Sequence, residues 1–374
     1  MFPNGMTPPT PTLSWYDYGL RQFTNPAPLR TAIIQEIVPP YRVPFFNLLN
    51  CALDSELTIF STDAPDGLSC QHRTLAVRRF GAVVAAKKDS LPMPGDFDLT
   101  VMIFDLRWLP VYSLLLRQPG ATVLWGHGRG RHESVAGFKA ALMKRSAGFI
   151  AYESDGVEYF SARGVPDNKL AYAGNTVYVA DHALSPHPRT HFLYLGRLQE
   201  RKGIEELARA YARLPASMRR EKRLRIVGDG EMSPRIANLV EQLGISRDCD
   251  LFSGSYDPTV VRDHFQSAVA YVSPGHLGLG VLHAFAYGTP VISWRDQPHA
   301  PEVANLQHGV NGYLVEPSIE GLIQAMYSYC DRPELLTQHC NAAYRQYAEH
   351  RTMQRMVTRF AEALKRFAPG VGTG

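Results

Sequence analysis

The feature that most limits how this chain can fold is a rhythm. Short apolar runs each stop on a glycine or a polar residue, and helical spacing follows. TAIIQEIV, ELTIFST, DLTVMIF, ATVLWGHG, SAGFIAYES and KLAYAGNTV come first, then HFLYLGR, LRIVGDG, CDLFSGSY, AVAYVSPG, TPVISW and GYLVEP. Helical stretches such as RWLPVYSLLLRQ and GIEELARAYARLP lie between them. Strand alternating with helix requires parallel sheets joined by crossover helices. The series is interrupted at ADHALSPHPRTH, Ala180 to His191, where Pro, His and Ser mark a linker. A chain of 374 residues exceeds what one hydrophobic core usually serves. The expectation is therefore two Rossmann-like α/β domains facing each other, residues 29–180 and 181–352, after a flexible arm over residues 1–28. The first strand is expected over Thr31–Val38, a helix from about Val43, and another helix starting at Pro301-Glu302.

Composition narrows the function classes. A formal charge of +4 favours anionic partners but is too weak to argue for nucleic acid. Cys51, Cys70, Cys249, Cys330 and Cys340 form no Cys-x-x-Cys and no even framework, which suggests reduced thiols in a cytoplasmic protein. No apolar segment approaches a membrane span, and MFPNGMTPPTPTLSW is not built like a secretory signal.

In open α/β sheets ligands bind beyond the carboxyl ends of the strands, so the residues after each run carry the argument. YLGRLQERKGIEEL places Gly196, Arg197 and Lys202 between a strand and a helix, where cations and free amides suit a diphosphate. Ion pairs from these cations to Glu200 and Glu205 are the alternative. SPGHLGLGVLHAFAYGTPVIS, Ser273 to Ser293, puts Gly275, Gly278 and Gly280 at a strand-to-helix turn, where backbone amides can approach a phosphate. A tight packing turn is the plain alternative. His276, Leu277 and Leu279 belong to this cradle, and His283, one turn into the helix, is placed to meet a ribose hydroxyl. His127, flanked by glycines in VLWGHGRGR, suits proton transfer or a sugar hydroxyl; Arg129 follows it. Two D-x-D strings, Asp96–Asp98 and Asp248–Asp250, precede strand runs and read as solvated turns, so no metal is assigned.

These segments resemble the retaining family 4 glycosyltransferases with the GT-B fold, over nearly the whole chain after the arm. GRLQERKG, IVGDGEM, FSGSY, SPGHLGLGVLHAFAYGTPVI and PEVANLQHGVNGYLVEP stand in that family's order and spacing. The resemblance implies a nucleotide-sugar donor (UDP-, GDP- or dTDP-linked) on the second domain and a glycan or lipid-linked acceptor on the first, as in bacterial polysaccharide or glycoconjugate assembly. It implies Arg197 and Lys202 at the leaving diphosphate, and Gly228, Ser253, Gly254, Ser255 and Tyr256 around the nucleotide. On the acceptor side it implies Tyr41, Arg42, His127 and Arg129. It also implies a final helix, residues 353–374, returning to the first domain. Many relatives carry two glutamates eight positions apart; here Gly275 and His283 stand in their places, as in a subgroup of the family. Without a carboxylate at 275, front-face substitution with retention is expected, with no cofactor.

Two other readings remain. One is a noncatalytic nucleotide- or glycan-binding protein on the same scaffold. The other, a nicotinamide oxidoreductase, lacks a glycine fingerprint after the first strand. GFKAALMKRSAG, Gly137 to Gly148, is a candidate basic helix for peripheral contact with anionic lipid, though a solvated face reads equally well.

Overall fold

The computed structural model describes residues 29–53, 56–128 and 133–369. The expected arm over residues 1–28 and Arg129 lie outside the described residues.

In the first half the elements are β1 (Thr31–Ile34), α1 (Val43–Leu53), β2 (Leu57–Ser61), β3 (Gln71–Thr74), β4 (Val77–Phe80) and β5 (Val83–Ala86). Then come β6 (Leu99–Ile103), α2 (Leu109–Arg117), β7 (Thr122–Gly126), α3 (Ala136–Arg145), β8 (Gly148–Ala151), α4 (Ser154–Ser161) and β9 (Leu170–Tyr172). Seven of these strands form a parallel sheet in the order β3-β2-β1-β6-β7-β8-β9, while β4 and β5 make an antiparallel hairpin beside it. The hairpin was not expected from the sequence.

The second half begins with β10 (His191–Leu195), α5 (Ile204–Ala212), α6 (Ala216–Glu221), β11 (Arg223–Val227), α7 (Ser233–Gln242), β12 (Cys249–Phe252) and α8 (Pro258–Gln266). It continues through β13 (Ala268–Val272), α9 (Gly280–Ala286), β14 (Val291–Trp294), β15 (Gly312–Val315), α10 (Ile319–Asp331), α11 (Pro333–His350) and α12 (Met353–Phe367). Its six strands are parallel in the order β12-β11-β10-β13-β14-β15.

Both sheets reverse direction once, between β1 and β6 and between β10 and β13. A doubly wound sheet opens a crevice at that switch point, because the crossovers on either side run away from each other. The central strands are buried throughout, as the near-continuous apolar runs require. Thr352 caps α12 by accepting a hydrogen bond from the Arg355 amide at 3.4 Å. This helix joins the core of the first half: Phe360 packs edge-on against Phe45 at 5.2 Å and Trp125 at 5.0 Å.

Three local expectations are corrected. The first strand runs only to Ile34; the Gln35 amide still donates to the Phe60 carbonyl at 3.1 Å and the Thr62 amide to the Glu36 carbonyl at 2.9 Å before the chain turns at Pro39-Pro40. Pro301–Asn305 is a single 3₁₀ turn rather than a helix. Asp250 sits inside β12 rather than in a turn, its carboxylate taken by Arg223 at 2.9 Å. In the other acidic string Asp98 pairs with Arg30 at 2.9 Å.

Candidate functional site

At the switch point of the second sheet, the loops after β10 and β13 lie backbone against backbone. The Gly275 amide donates to the Lys202 carbonyl at 3.0 Å, and the His276 amide to the Arg201 carbonyl at 2.9 Å. No side chain fits between them. A Cβ on Gly275 would lie 2.1 Å from the Arg201 carbonyl oxygen, and one on Gly203, in a left-handed conformation at φ 69°, would meet Pro274 and Gly275 at 3.0 and 3.1 Å. At 275, where the resemblance to family 4 implies a carboxylate, the structure has backbone packed against backbone.

This contact sets the two cations. Lys202 Nζ donates to the His276 carbonyl at 2.6 Å, and burial pushes its amine down to about 8. Arg197 is exposed at the end of β10. Among the described residues neither cation has an ion-pair partner, and Glu205 binds Arg235 instead, at 2.9 Å. The alternative of a loop closed by ion pairs to Glu200 and Glu205 does not describe this site.

A pocket of about 530 Å³ opens beside them, lined by the ends of β10, β11 and β12. Gly196, Arg197, Gly228, Gly254, Ser255 and Tyr256 all line it; Ser253 does not. Tyr256 is 89% exposed at its rim, an aromatic face open to solvent. Gln199, Asp229 and Glu231 also line the pocket and were not singled out in the sequence. Asp229 is oriented by the Gly254 amide, which donates to it at 2.8 Å. The signal for Asp229 and Glu231 was present in GDGEM, two acids in a glycine-bearing loop just after β11; Gln199, in GRLQERKG, had no such mark.

The glycine turn is partly spent on its own architecture. The Leu277 amide donates to His299 Nδ1 at 3.0 Å, while His299 Nε2 donates to the Trp294 carbonyl at 2.7 Å. That tautomer is neutral, in keeping with burial lowering the His299 pKa. The amides of Gly278 and Leu279 have no acceptor among the described residues. Gly280 lets the helix approach Tyr271, whose hydroxyl donates to the Leu195 carbonyl at 3.2 Å and so ties β13 to β10. His283 stacks on Phe265 at 6.0 Å, and burial pushes its pKa down to about 4, so its imidazole is neutral. It is not part of the pocket lining.

Across from this wall, the first half presents its own strand ends. His127 follows β7, half-buried, and Lys139 Nζ donates to the Gly128 carbonyl at 2.5 Å. Arg42 is buried, its guanidinium 4.8 Å from the Trp125 ring and 5.6 Å from that of Tyr152. Tyr41 beside it is exposed. Glu302, on the 3₁₀ turn after β14, reaches the first half and accepts a hydrogen bond from Asn175. In the sequence Pro301-Glu302 reads only as the start of a helix, with no sign of this contact.

Residues 181–346 match the model of the glycosyl transferases group 1. The lipopolysaccharide core biosynthesis glycosyltransferase LpsE of Rhizobium meliloti is 35% identical over 136 residues, 35% of this chain and 37% of LpsE. An uncharacterized glycosyltransferase of Methanocaldococcus jannaschii is 33% identical over 132 residues, 33% of this chain and 31% of that protein. These matches thus span about a third of each relative. Among solved structures, HepE of Anabaena in complex with UDP superposes with a TM-score of 0.66 over 90% of this chain and 100% of HepE, at 13% identity. The lipopolysaccharide outer core galactosyltransferase WaaB in its apo form gives 0.64 over 90% and 99%, at 18% identity. The fold is GT-B, two facing Rossmann-like domains.

Proposed function

We propose that this chain, whose residues 181–346 carry a group 1 glycosyl transferase domain on a GT-B fold, moves a sugar from a nucleotide-sugar donor to a glycan or lipid-linked acceptor with retention of configuration. The observation that carries the reading is a pair of cations without an ion-pair partner among the described residues: Arg197 lines a pocket of nucleotide size, and Lys202, outside that lining, is tethered to the His276 carbonyl on the adjoining loop. Charge grows on the diphosphate as the anomeric C–O bond breaks, and preorganised donors aimed at that charge are the largest contribution to such a step. Arg197 and Lys202 supply it, joined by the open amides of Gly278 and Leu279. In this reading Tyr256 covers the base, and Asp229 and Glu231 accept hydrogen bonds from base or ribose. His127 and Arg42 face the acceptor, and the reaction needs neither cofactor nor metal. HepE is solved with UDP and with UDP-glucose, and LpsE and WaaB are named for lipopolysaccharide assembly, which supports a uridine donor and a glycoconjugate acceptor.

The reading includes a cytoplasmic protein resting on the inner face of a membrane. No described helix is long and apolar enough to cross one. The support lies on the outer layer of the first half. Phe80 is 65% exposed near the tip of the β4–β5 hairpin, Arg78 is exposed on the same strand, and Lys87 and Lys88 are exposed just after β5 at the hairpin's open end. Phe138, Lys144 and Arg145 are exposed on α3. Apolar side chains accompanied by cations match an anionic lipid surface.

A panel of UDP-, GDP- and dTDP-sugars, read by calorimetry and by donor hydrolysis, tests the whole. Tight binding of one nucleoside diphosphate with slow hydrolysis of its sugar conjugate is the expected result. Binding without turnover under any acceptor would favour the noncatalytic scaffold, the reading that main chain at the 275 position keeps in play. Binding of none would end the donor assignment.

A further inference from the structure

The loop that carries Glu302 is built onto the glycine turn. His276 Nδ1 bonds the Pro298 carbonyl at 2.5 Å, His299 Nδ1 accepts from the Leu277 amide at 3.0 Å, and the Ala300 amide donates to the Leu277 carbonyl at 2.9 Å. From behind, Asn305 Nδ2 donates to the Glu302 carbonyl at 2.9 Å and Asn311 Nδ2 to the Asn305 carbonyl at 2.9 Å. Glu302 is therefore held by the donor wall, yet its carboxylate is 4% exposed and spent on Asn175 of the facing half.

The other side-chain bonds between the halves run through segments that cross from one to the other. Tyr347 donates to the Val177 carbonyl at 3.2 Å, the Thr176 hydroxyl to the Arg351 carbonyl at 2.5 Å, and Arg351 pairs with Glu153 at 2.7 Å. These sit where the chain itself joins the halves. Asn175 belongs to that same joining segment, next to Thr176 and Val177, and among the described residues Glu302 is the side chain that reaches it from the loop on the glycine turn rather than from α11 or the residue after it. The bond lies beside Tyr152 and Glu153, at the carboxyl end of β8. Buried hydrogen bonds to a charged group contribute more than neutral ones, and losing one partner leaves a desolvated charge.

We propose that Glu302 is a positioning residue of the transfer site: fixed to the glycine turn and bonded to Asn175, it holds the donor and acceptor halves in the closed arrangement. This rests on the glycosyltransferase reading for its purpose, but not for its geometry. A carboxylate that relatives place against the donor is absent at 275. Here the donor turn instead contacts the opposite half through a carboxylate 27 residues further on. The glycine turn and the segment joining the halves are thereby tied through one loop.

Small-angle scattering of the full chain, with and without UDP, reads closure directly, while calorimetry reads UDP binding. Glu302→Ala and Asn175→Asp should each enlarge the radius of gyration, the second by setting two carboxylates face to face. Asn175→Asp combined with Glu302→Gln swaps acid and amide and should restore the compact profile. UDP affinity should stay within about twofold in the variants, because the pocket lining is untouched; this separates positioning from donor contact. Profiles of both single variants that match wild type would overturn the proposal, as would failure of the swap to restore closure. If wild type binds no UDP, the donor reading fails, and the unliganded profiles still decide the role of Glu302. Should Glu302→Ala not fold, Asn175→Asp and its swap carry the test.

Discussion

Gly275→Ala is the sharpest perturbation of the switch point, because it adds one methyl group and no charge. That carbon would start 2.1 Å from the Arg201 carbonyl oxygen and 2.8 Å from the Lys202 carbonyl carbon. Nonbonded contacts to carbon settle near about 3.5 Å, so the loops must separate by about 1 Å or more. The bonds from Gly275 to Lys202 and from His276 to Arg201, at 3.0 and 2.9 Å, then pass out of range. Two lost bonds at about 1 kcal/mol each, with an overpacking cost of about 1–3 kcal/mol, give roughly 3–5 kcal/mol. For a domain of this size each kcal/mol lowers Tm by about 2–4 °C, so a drop near 10 °C is expected in scanning calorimetry. Lys202, tethered to His276, moves with the turn, and UDP affinity falls in the same variant. Gly275→Glu, which restores the residue many relatives have, should behave no better. An alanine variant with the Tm and UDP affinity of wild type would refute the backbone contact as the reason for glycine here.

Charge at Lys202 gives a pH prediction. Its amine titrates near about 8 in the free protein, and a bound diphosphate holds it charged, so binding above that pH must draw in a proton. UDP affinity should fall by up to about tenfold per pH unit above 8 and stay level below it; calorimetry that finds level affinity to pH 9.5 contradicts the placement. Arg197→Ala and Lys202→Ala should each cut donor turnover by about a hundredfold or more, and near-normal rates in both would remove the leaving-group role. Lys87→Glu with Lys88→Glu should abolish cosedimentation with vesicles containing anionic lipid while leaving UDP binding intact. If wild type does not sediment with such vesicles, the membrane face is withdrawn.

The switch-point loops were legible because their chemistry is local: a strand that ends on Gly196-Arg197 and a turn of glycines at 275, 278 and 280 announce themselves within a few residues. Glu302 was not legible, since its partner Asn175 stands in the other half and nothing around PEVAN marks the bond. The hairpin of β4 and β5 was hidden in VRRFGAVVAA, whose alternation is weak and whose turn is a single Gly-Ala. His283 is a different case: its place in the motif suggests a ligand contact, while the structure shows it stacked on Phe265, neutral and outside the pocket lining.

Replacing a carboxylate by main chain at 275 changes the balance of forces at the turn. A carboxylate about 6 Å from a diphosphate opposes it by about 3 kcal/mol at an effective dielectric of 20, and its absence leaves Arg197 and Lys202 unopposed there. The same absence removes an acceptor for sugar hydroxyls, and the Gly275, His276 and Leu277 amides are already spent. Under the proposed function, a site built this way would grip the diphosphate well and the sugar poorly until the other half arrives. Closure then becomes part of sugar recognition rather than a consequence of it. The rigid loop from the glycine turn through His299 to Glu302 and Asn175 is the physical link such a site requires.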